Sequence, residues 1–363
     1  MKAGVLRQGR LVVDDVPDPV VDAGQVLCAV RACGICGTDL HLIQHGDALV
    51  RAMNERPASE PSPPLTIPVL DFGRDIVLGH EFSAEVLECG PEVESIQPGD
   101  VVVSVPMLID GAHGHGLGFS NTYPGGFAER MVMSADLAIR VPNGLDPRLA
   151  ALTEPASVAE HVVNVSNITE ANGALVLGAG PVGLMIVASL ARRGVAPIIV
   201  SEPAAGRRAL ALKVGAHATV DPRTDEPIAT WHATAQQAQP LVIFEAVGVP
   251  GMLDAAVTMA PPGSRLVVAG ICCEPDTFLP ARAFRNELNI QFAAMYSAEE
   301  FAATLRLLAE GELGVDPIAT GVVGIDGLPS TCDDLMQPHD HAKVLLQPGR
   351  SGTAVAPLVL SAS

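Results

Sequence analysis

Ala174-Leu-Val-Leu-Gly178-Ala-Gly180-Pro-Val-Gly183 is an apolar run that ends in Gly-x-Gly-x-x-Gly and passes straight into a second apolar run. The first half reads as a buried strand and Val182 to Arg193 as a helix. Each glycine has a task at such a junction: Gly178 permits the tight turn, Gly180 lets backbone approach a pyrophosphate, and Gly183 lets the helix pack on the strand. The free amides at the helix start then face the phosphate. Glu202 lies nineteen residues beyond Gly183, at the end of the next strand-like run, where an acid would hold the adenosine ribose hydroxyls. Pro181 and Val182 at the helix start, Arg207 further on, and Val247 and Gly248 after a later strand are additional candidates for the same dinucleotide site. The uncharged stretch Ala174 to Ala191 is eighteen residues long, the length of a membrane helix. The glycines and Pro181 that break its first half argue for a strand, a turn and a helix instead.

Outward from this junction the βα rhythm continues. Pro197 to Val200, Ala218 to Val220, Leu241 to Phe244, Arg265 to Val268 and Leu288 to Phe292 read as strands. Arg207 to Val214 reads as a helix between two of them, and Ser297 to Gly311 as an amphipathic helix carrying Phe301, Leu305 and Leu308 on one face. Strands alternating with helices predict a parallel sheet. Before about Pro155 the pattern is different. Val12-Val13, Val26 to Val30, Glu85 to Leu87 and Val101 to Val105 are short strands among turns such as Pro98-Gly99-Asp100, which predicts a barrel-like or sandwich-like β domain. His45 to Ile76, with Pro57, Pro61, Pro63, Pro64 and Pro68, reads as a surface excursion without a core of its own. His341 to Leu346 is the last strand-like run.

Length and composition agree with two globular domains: 363 residues, 48% of them apolar and 17% charged. The net charge of −19 excludes a basic patch for nucleic acid or for an anionic membrane surface. Seven cysteines without regular spacing do not describe a disulfide framework, and no secretory leader opens the chain, so a cytoplasmic setting is expected.

Cys36-Gly-Thr38-Asp39-Leu-His41 and Gly79-His80-Glu81 hold the remaining residues of interest. Cys36, His80, Glu81 and Glu154 offer the thiolate, imidazole and carboxylate donors that catalytic zinc uses, but from distant positions. Taken singly, Cys36 is more often a small buried apolar residue and His80 a structural histidine. Cys33, three residues before Cys36, reads as packing, and the adjacent Cys272-Cys273 are expected near a strand end, where neighbouring cysteines rarely bridge each other. His113 and His115 lie in the glycine-rich 111–118 segment and read as part of a mobile loop.

Together with Pro124-Gly-Gly-Phe-Ala-Glu129, Glu154-Pro155 and the glycine fingerprint, these motifs occur in an order that resembles the zinc-containing medium-chain dehydrogenases. The sorbitol, threonine and glucose dehydrogenase branch is the most similar. The resemblance covers about residues 1 to 348. It implies an α/β plus β fold: a co-chaperonin-like β-barrel catalytic domain (1–155 and 299–350), a Rossmann doubly wound parallel-sheet domain (156–298), an active site in the cleft between them, and a disordered tail (351–363). It implies that Cys36 and His80 ligate zinc, that Glu81 is a third ligand or a close outer carboxylate, and that Glu154 is a fourth ligand or holds a water on the metal. Asp39 would orient His80, and Thr38 and His41 would relay the substrate proton.

The activity so implied is hydride transfer between an alcohol or polyol and NAD(P), with NAD preferred and a single zinc per chain. The 103–126 region, cysteine-free here, leaves no structural second zinc. A homodimer or homotetramer is expected, paired through Leu288 to Phe292 and Phe278 to Phe284. A zinc-free quinone or enoyl reductase, or a dinucleotide-binding protein without chemistry, are the alternatives.

Overall fold

Six parallel strands form the sheet predicted from the glycine-rich junction. In spatial order they are Ala218–Val220, Ile198–Ser201, Gly173–Leu177, Leu241–Glu245, Arg265–Val268 and Asn289–Phe292. The computed structural model describes residues 1–54, 66–235 and 239–360. Gly173–Leu177 is buried along its length, as a strand covered on both faces must be. Its neighbours add Ile199, Ile243 and Leu266 to one apolar core. The chain leaves Gly173–Leu177 and enters the helix Pro181–Arg192, so the uncharged eighteen-residue stretch divides into strand, turn and helix. No described helix is long and apolar enough to cross a membrane.

The chain folds as two compact units: 155–318 with 340–342, and 1–154 with 319–339 and 343–363. The sequence reading ended the dinucleotide domain at 298, and the structure carries it to Ile318. The reason is the helix Ala298–Ala309. Its capping box joins Ser297 to Glu300, and the Glu300 carboxylate also accepts from Asn164 Nδ2 at 2.7 Å and meets His161 Nδ1 at 2.9 Å. Its amphipathic pattern was legible; which core it serves was not.

The other unit is built on a seven-stranded sheet. Ala138–Arg140, Val101–Ser104, Glu81–Cys89, Gln25–Gly34, Lys343–Leu346 and Ala319–Val323 follow one another across it, and Arg130–Ser134 pairs with Gln25–Gly34. The strands from Ala138–Arg140 through Lys343–Leu346 pair antiparallel, and Ala319–Val323 pairs parallel to Lys343–Leu346. Two registers matter for function. Gly34 lies opposite Glu81, and Leu345 lies opposite Gly34 on the other side.

Three sequence expectations are corrected here. The excursion expected after His45 begins as helix, because Gly37–Asn54 continues beyond a kink at His45 (φ −136°, ψ 23°). Its return arm, 66–75, is tied to the body of the unit, while Pro57, Pro61, Pro63 and Pro64 lie outside the described residues. The glycine-rich segment expected to be a mobile loop is a hairpin, Met107–Asp110 with His113–Gly116. Leu108 and Leu117 are fully buried and His115 packs edge-on against Tyr123, which anchors what the glycines alone would loosen. Residues 351–360, expected to be disordered, are held by backbone pairing of Ala356 with Val322 and by Arg148 donating to the Val359 carbonyl.

Candidate catalytic and cofactor sites

The strand Gln25–Gly34 delivers the chain to Cys36 at the start of the helix Gly37–Asn54, and the paired strand Glu81–Cys89 starts beside it. That register brings Cys36, His80 and Glu81 together, with one ligand atom of each within 4.8 Å of the others. Among the described residues this is the one such group of histidine, cysteine and carboxylate side chains. Glu154, at the start of the helix Thr153–Val165, is not a member of it.

The surroundings hold these side chains in place. Asp39 Oδ2 accepts from the Cys36 amide at 3.0 Å and Oδ1 from the Gly79 amide at 3.2 Å, so one fully buried carboxylate ties both halves of the group together. Asp39 Oδ1 stands 3.5 Å from His80 Nδ1, short of a hydrogen bond, and that buried ring nitrogen has no partner. Asp39 therefore occupies the expected orienting position without making the expected bond. Burial opposes a protonated His80, but Asp39 and Cys36 outweigh it and raise its pKa well above the ordinary value. A buried place that favours positive charge, next to a sulfur and an imidazole, fits a zinc ion.

Glu81 is engaged elsewhere. Lys343 Nζ reaches both of its carboxylate oxygens at 2.7 Å and donates to the Ile35 carbonyl at 3.1 Å, with both side chains fully buried. Burial disfavours the lysine's charge, yet Glu81 and then Cys36 raise its pKa overall. A charge pair at such depth neutralises Glu81, which suits the outer role better than the ligand role. Sequence reading missed Lys343. Its one signal is a lone lysine leading an apolar strand, and only the register places it beside Glu81. Gly34 makes the arrangement possible, because a Cβ there would stand 1.9 Å from Glu81 Oε2.

Thr38 Oγ1 is 3.7 Å from Cys36 Sγ, so the hydroxyl expected to relay the proton stands beside the thiol. His41 follows one turn later on the same helix, half-buried. Burial first, and the neighbouring His45 second, lower its pKa below 6.5. Phe119 closes the other side of His80, its ring 4.8 Å from the imidazole and tilted by 38°.

In the second unit the fingerprint glycines have the geometry of a tight turn between strand and helix. Gly178 has φ +92°, which favours glycine, and a Cβ on Gly183 would lie 2.1 Å from the Gly178 carbonyl. A Cβ on Gly180 would meet nothing within 4 Å, leaving open space at the helix start ahead of Pro181 and Val182. Glu202 is buried at the end of its strand. Its Oε2 accepts from the Ala179 amide and its Oε1 from the Ala204 amide, both at 2.8 Å. Each oxygen keeps lone-pair capacity for a further donor.

Val247 and Gly248 lie in a turn whose amides both donate to Glu245 Oε1, at 2.7 and 2.9 Å. That buried carboxylate also escaped the sequence reading. Arg207 Nε donates to the His341 carbonyl at 3.2 Å. Arg208 Nη1 donates to the Glu202 carbonyl at 2.8 Å and to Asp221 Oδ2 at 3.2 Å.

Residues 22–143 match the alcohol dehydrogenase GroES-like domain and residues 181–310 the zinc-binding dehydrogenase domain. An L-threonine 3-dehydrogenase of Thermococcus kodakarensis is 31% identical over 337 residues, which is 88% of this chain and 89% of that one. The chain belongs to the zinc-dependent medium-chain dehydrogenase family. An (R,R)-butanediol dehydrogenase of Bacillus subtilis is 28% identical over 352 residues, covering 94% of this chain and 97% of that protein. The crystal structure of 2R,3R-butanediol dehydrogenase from Bacillus subtilis superimposes with a TM-score of 0.80 at 27% identity, over 96% of this chain and 99% of that one. The protein is thus an oxidoreductase that moves a hydride between an alcohol or polyol and NAD(P), on the expected co-chaperonin-like and Rossmann architecture. Membership of this family disfavours the zinc-free reductase alternative.

Proposed function

We propose that this dehydrogenase oxidises a small secondary alcohol bearing a neighbouring polar group, with Cys36 and His80 holding one zinc per chain. The observation that carries the reading is the gathering of Cys36, His80 and Glu81 ligand atoms within 4.8 Å, with Thr38 beside the thiol. The proteins it resembles are named for butanediol and threonine, which share a secondary alcohol next to a second polar substituent. When bound, zinc supplies Lewis acidity that lowers the pKa of an alcohol. The chain's own residues do the rest. Thr38 takes the substrate hydroxyl proton as it gives up its own, and His41, kept neutral by its lowered pKa, is the base that receives the relayed proton. Asp39 braces both halves of the group, and the Lys343–Glu81 pair keeps the carboxylate behind it neutralised. Glu154, which is not a member of the group, serves as an outer partner of the substrate or its solvent.

NAD is the preferred cofactor in this reading, because Glu202 has lone pairs for both ribose hydroxyls and would repel a 2′-phosphate. Val247, Gly248 and Arg207 belong to the cofactor site in this reading, and Arg208 braces the Glu202 turn. The protein works as a homo-oligomer in the cytoplasm. Phe284 on the helix Pro280–Arg285, Phe292 on the open edge strand Asn289–Phe292 and Met295 just after it are 87%, 69% and 70% exposed, a face suited to a second copy. Its seven cysteines carry no disulfide.

A panel of diols, polyols and β-hydroxy amino acids, followed by the absorbance of reduced nicotinamide together with metal analysis, tests the reading. Turnover of secondary alcohols with about one zinc per chain is expected. Full activity in protein stripped of metal would refute it, and a monomeric mass by light scattering would refute the oligomer.

A further inference from the structure

The turn that carries Phe119 is held on two sides. On the inner side Gly125, Gly126 and Phe127 donate their amides to the carbonyls of Val77, Gly79 and Leu78 at 2.7 to 3.0 Å. Gly118, at φ +91°, comes so close that a Cβ there would stand 2.9 Å from Gly79 backbone. On the outer side lies the return arm 66–75. Thr66 joins the hairpin, donating its amide to the Ala112 carbonyl and accepting from the Gly114 amide, both at 3.0 Å.

Asn121 fastens the rest. Its Oδ1 accepts from the Asp71 amide at 2.8 Å, and its Nδ2 donates to the Asp71 carbonyl at 2.9 Å and the Asp75 carbonyl at 3.3 Å. Between arm and turn remains a cavity of about 80 Å³, lined by Ile67, Leu70, Arg74 and Phe119 among others. Phe119 therefore has His80 on one side and a small void on the other.

We propose that the 66–75 arm, fastened by the positioning residue Asn121, sets substrate size by backing Phe119, the ring that walls the His80 side of the catalytic site. With the arm closed, Phe119 stays against His80 and only a short substituent fits beside the reacting carbon. With the arm loosened, Phe119 moves outward into the space behind it and longer substituents are admitted. The inference rests on the reading of Cys36 and His80 as the zinc-binding pair, and it makes the return arm of the Pro-rich excursion a selectivity device.

Asn121→Ala removes three hydrogen bonds, which shifts the open-to-closed balance of the arm by roughly tenfold or more. The expected result is KM for a short alcohol raised about tenfold with kcat within about twofold, zinc retained, and relative activity on longer alcohols increased. Amide hydrogen exchange at 66–75 should quicken by a similar factor, independently of activity. Asn121→Asp keeps the acceptor for the Asp71 amide but sets a carboxylate oxygen against the Asp71 and Asp75 carbonyls, so it should loosen the arm at least as far as alanine does, and it serves if the alanine variant fails to fold. Leu70→Phe, which fills the void from the arm side, should narrow the range of alcohols. Faster exchange with unchanged KM and unchanged chain-length selectivity would overturn the proposal while leaving the zinc reading intact. A parent protein active without zinc would overturn both.

Discussion

Glu81 and Glu202 are both buried carboxylates at the ends of strands, and each is held by two short contacts. They spend their charge differently. Glu81 gives both oxygens to the ammonium of Lys343, so the pair is close to neutral and its value lies in fixed geometry behind Cys36 and His80. Glu202 gives its oxygens to two backbone amides, which stabilise the anion without cancelling it. One acid has become part of the frame and the other remains a charged acceptor. Burial alone does not reveal what an acid is for; the identity of its donors does.

The largest expected effect tests whether that frame serves a metal. Cys36→Ser should abolish stoichiometric zinc and lower activity by more than the roughly 10–100-fold typical of losing an outer partner of a metal ligand. Unaltered zinc content by elemental analysis would leave Glu81 no metal to stand behind. The next test breaks the pair itself. Lys343→Met leaves an uncompensated buried carboxylate and should cost about 3–5 kcal/mol of stability, read from denaturant midpoints. The double variant with Glu81→Gln should recover most of that loss, because the penalty comes from the stranded charge. If the double variant is as unstable as the single, the pair is not the neutralised unit described above.

Glu202→Gln tests the opposite behaviour. It should cost about 1–3 kcal/mol of stability, because Gln offers one acceptor where two amides donate, and narrow the preference for NAD over NADP by roughly tenfold in kcat/KM. The smallest effect concerns the relay. His41 has a folded-state pKa below its unfolded value, so between the two the unfolded chain binds more protons. Stability is therefore lost as pH falls below 6.5, and the group costs nothing well above it. His41→Gln should flatten the thermal midpoint between pH 7 and pH 5, and an unchanged slope would count against the lowered pKa.

How much of this could be read from the chain depended on sequence separation. Strand, glycine turn, helix and Glu202 fall within thirty residues, so local rules place them, and the structure reproduces each. The candidate metal group draws on residues 36, 80 and 81 and is backed by residue 343, which only the register of the sheet brings together. Cys36 and His80 were found through motifs. Lys343 belongs to no motif and was missed. The 107–116 hairpin was missed for another reason: its glycines mimic a loop, and the anchors Leu108, Leu117 and Tyr123 act across space.

The Lys343–Glu81 contact spans 262 positions of sequence. During synthesis at about 5–20 residues per second, roughly 13–50 s pass between the appearance of the acid and that of its base. Over that interval the ribosome delivers the whole dinucleotide-binding unit, residues 155–318 and 340–342. The nascent first unit must wait with Glu81 hydrated or protonated, its central sheet missing the strand Lys343–Leu346 against Gln25–Gly34. The cofactor-binding half can mature first, and the catalytic half closes only when that late strand arrives.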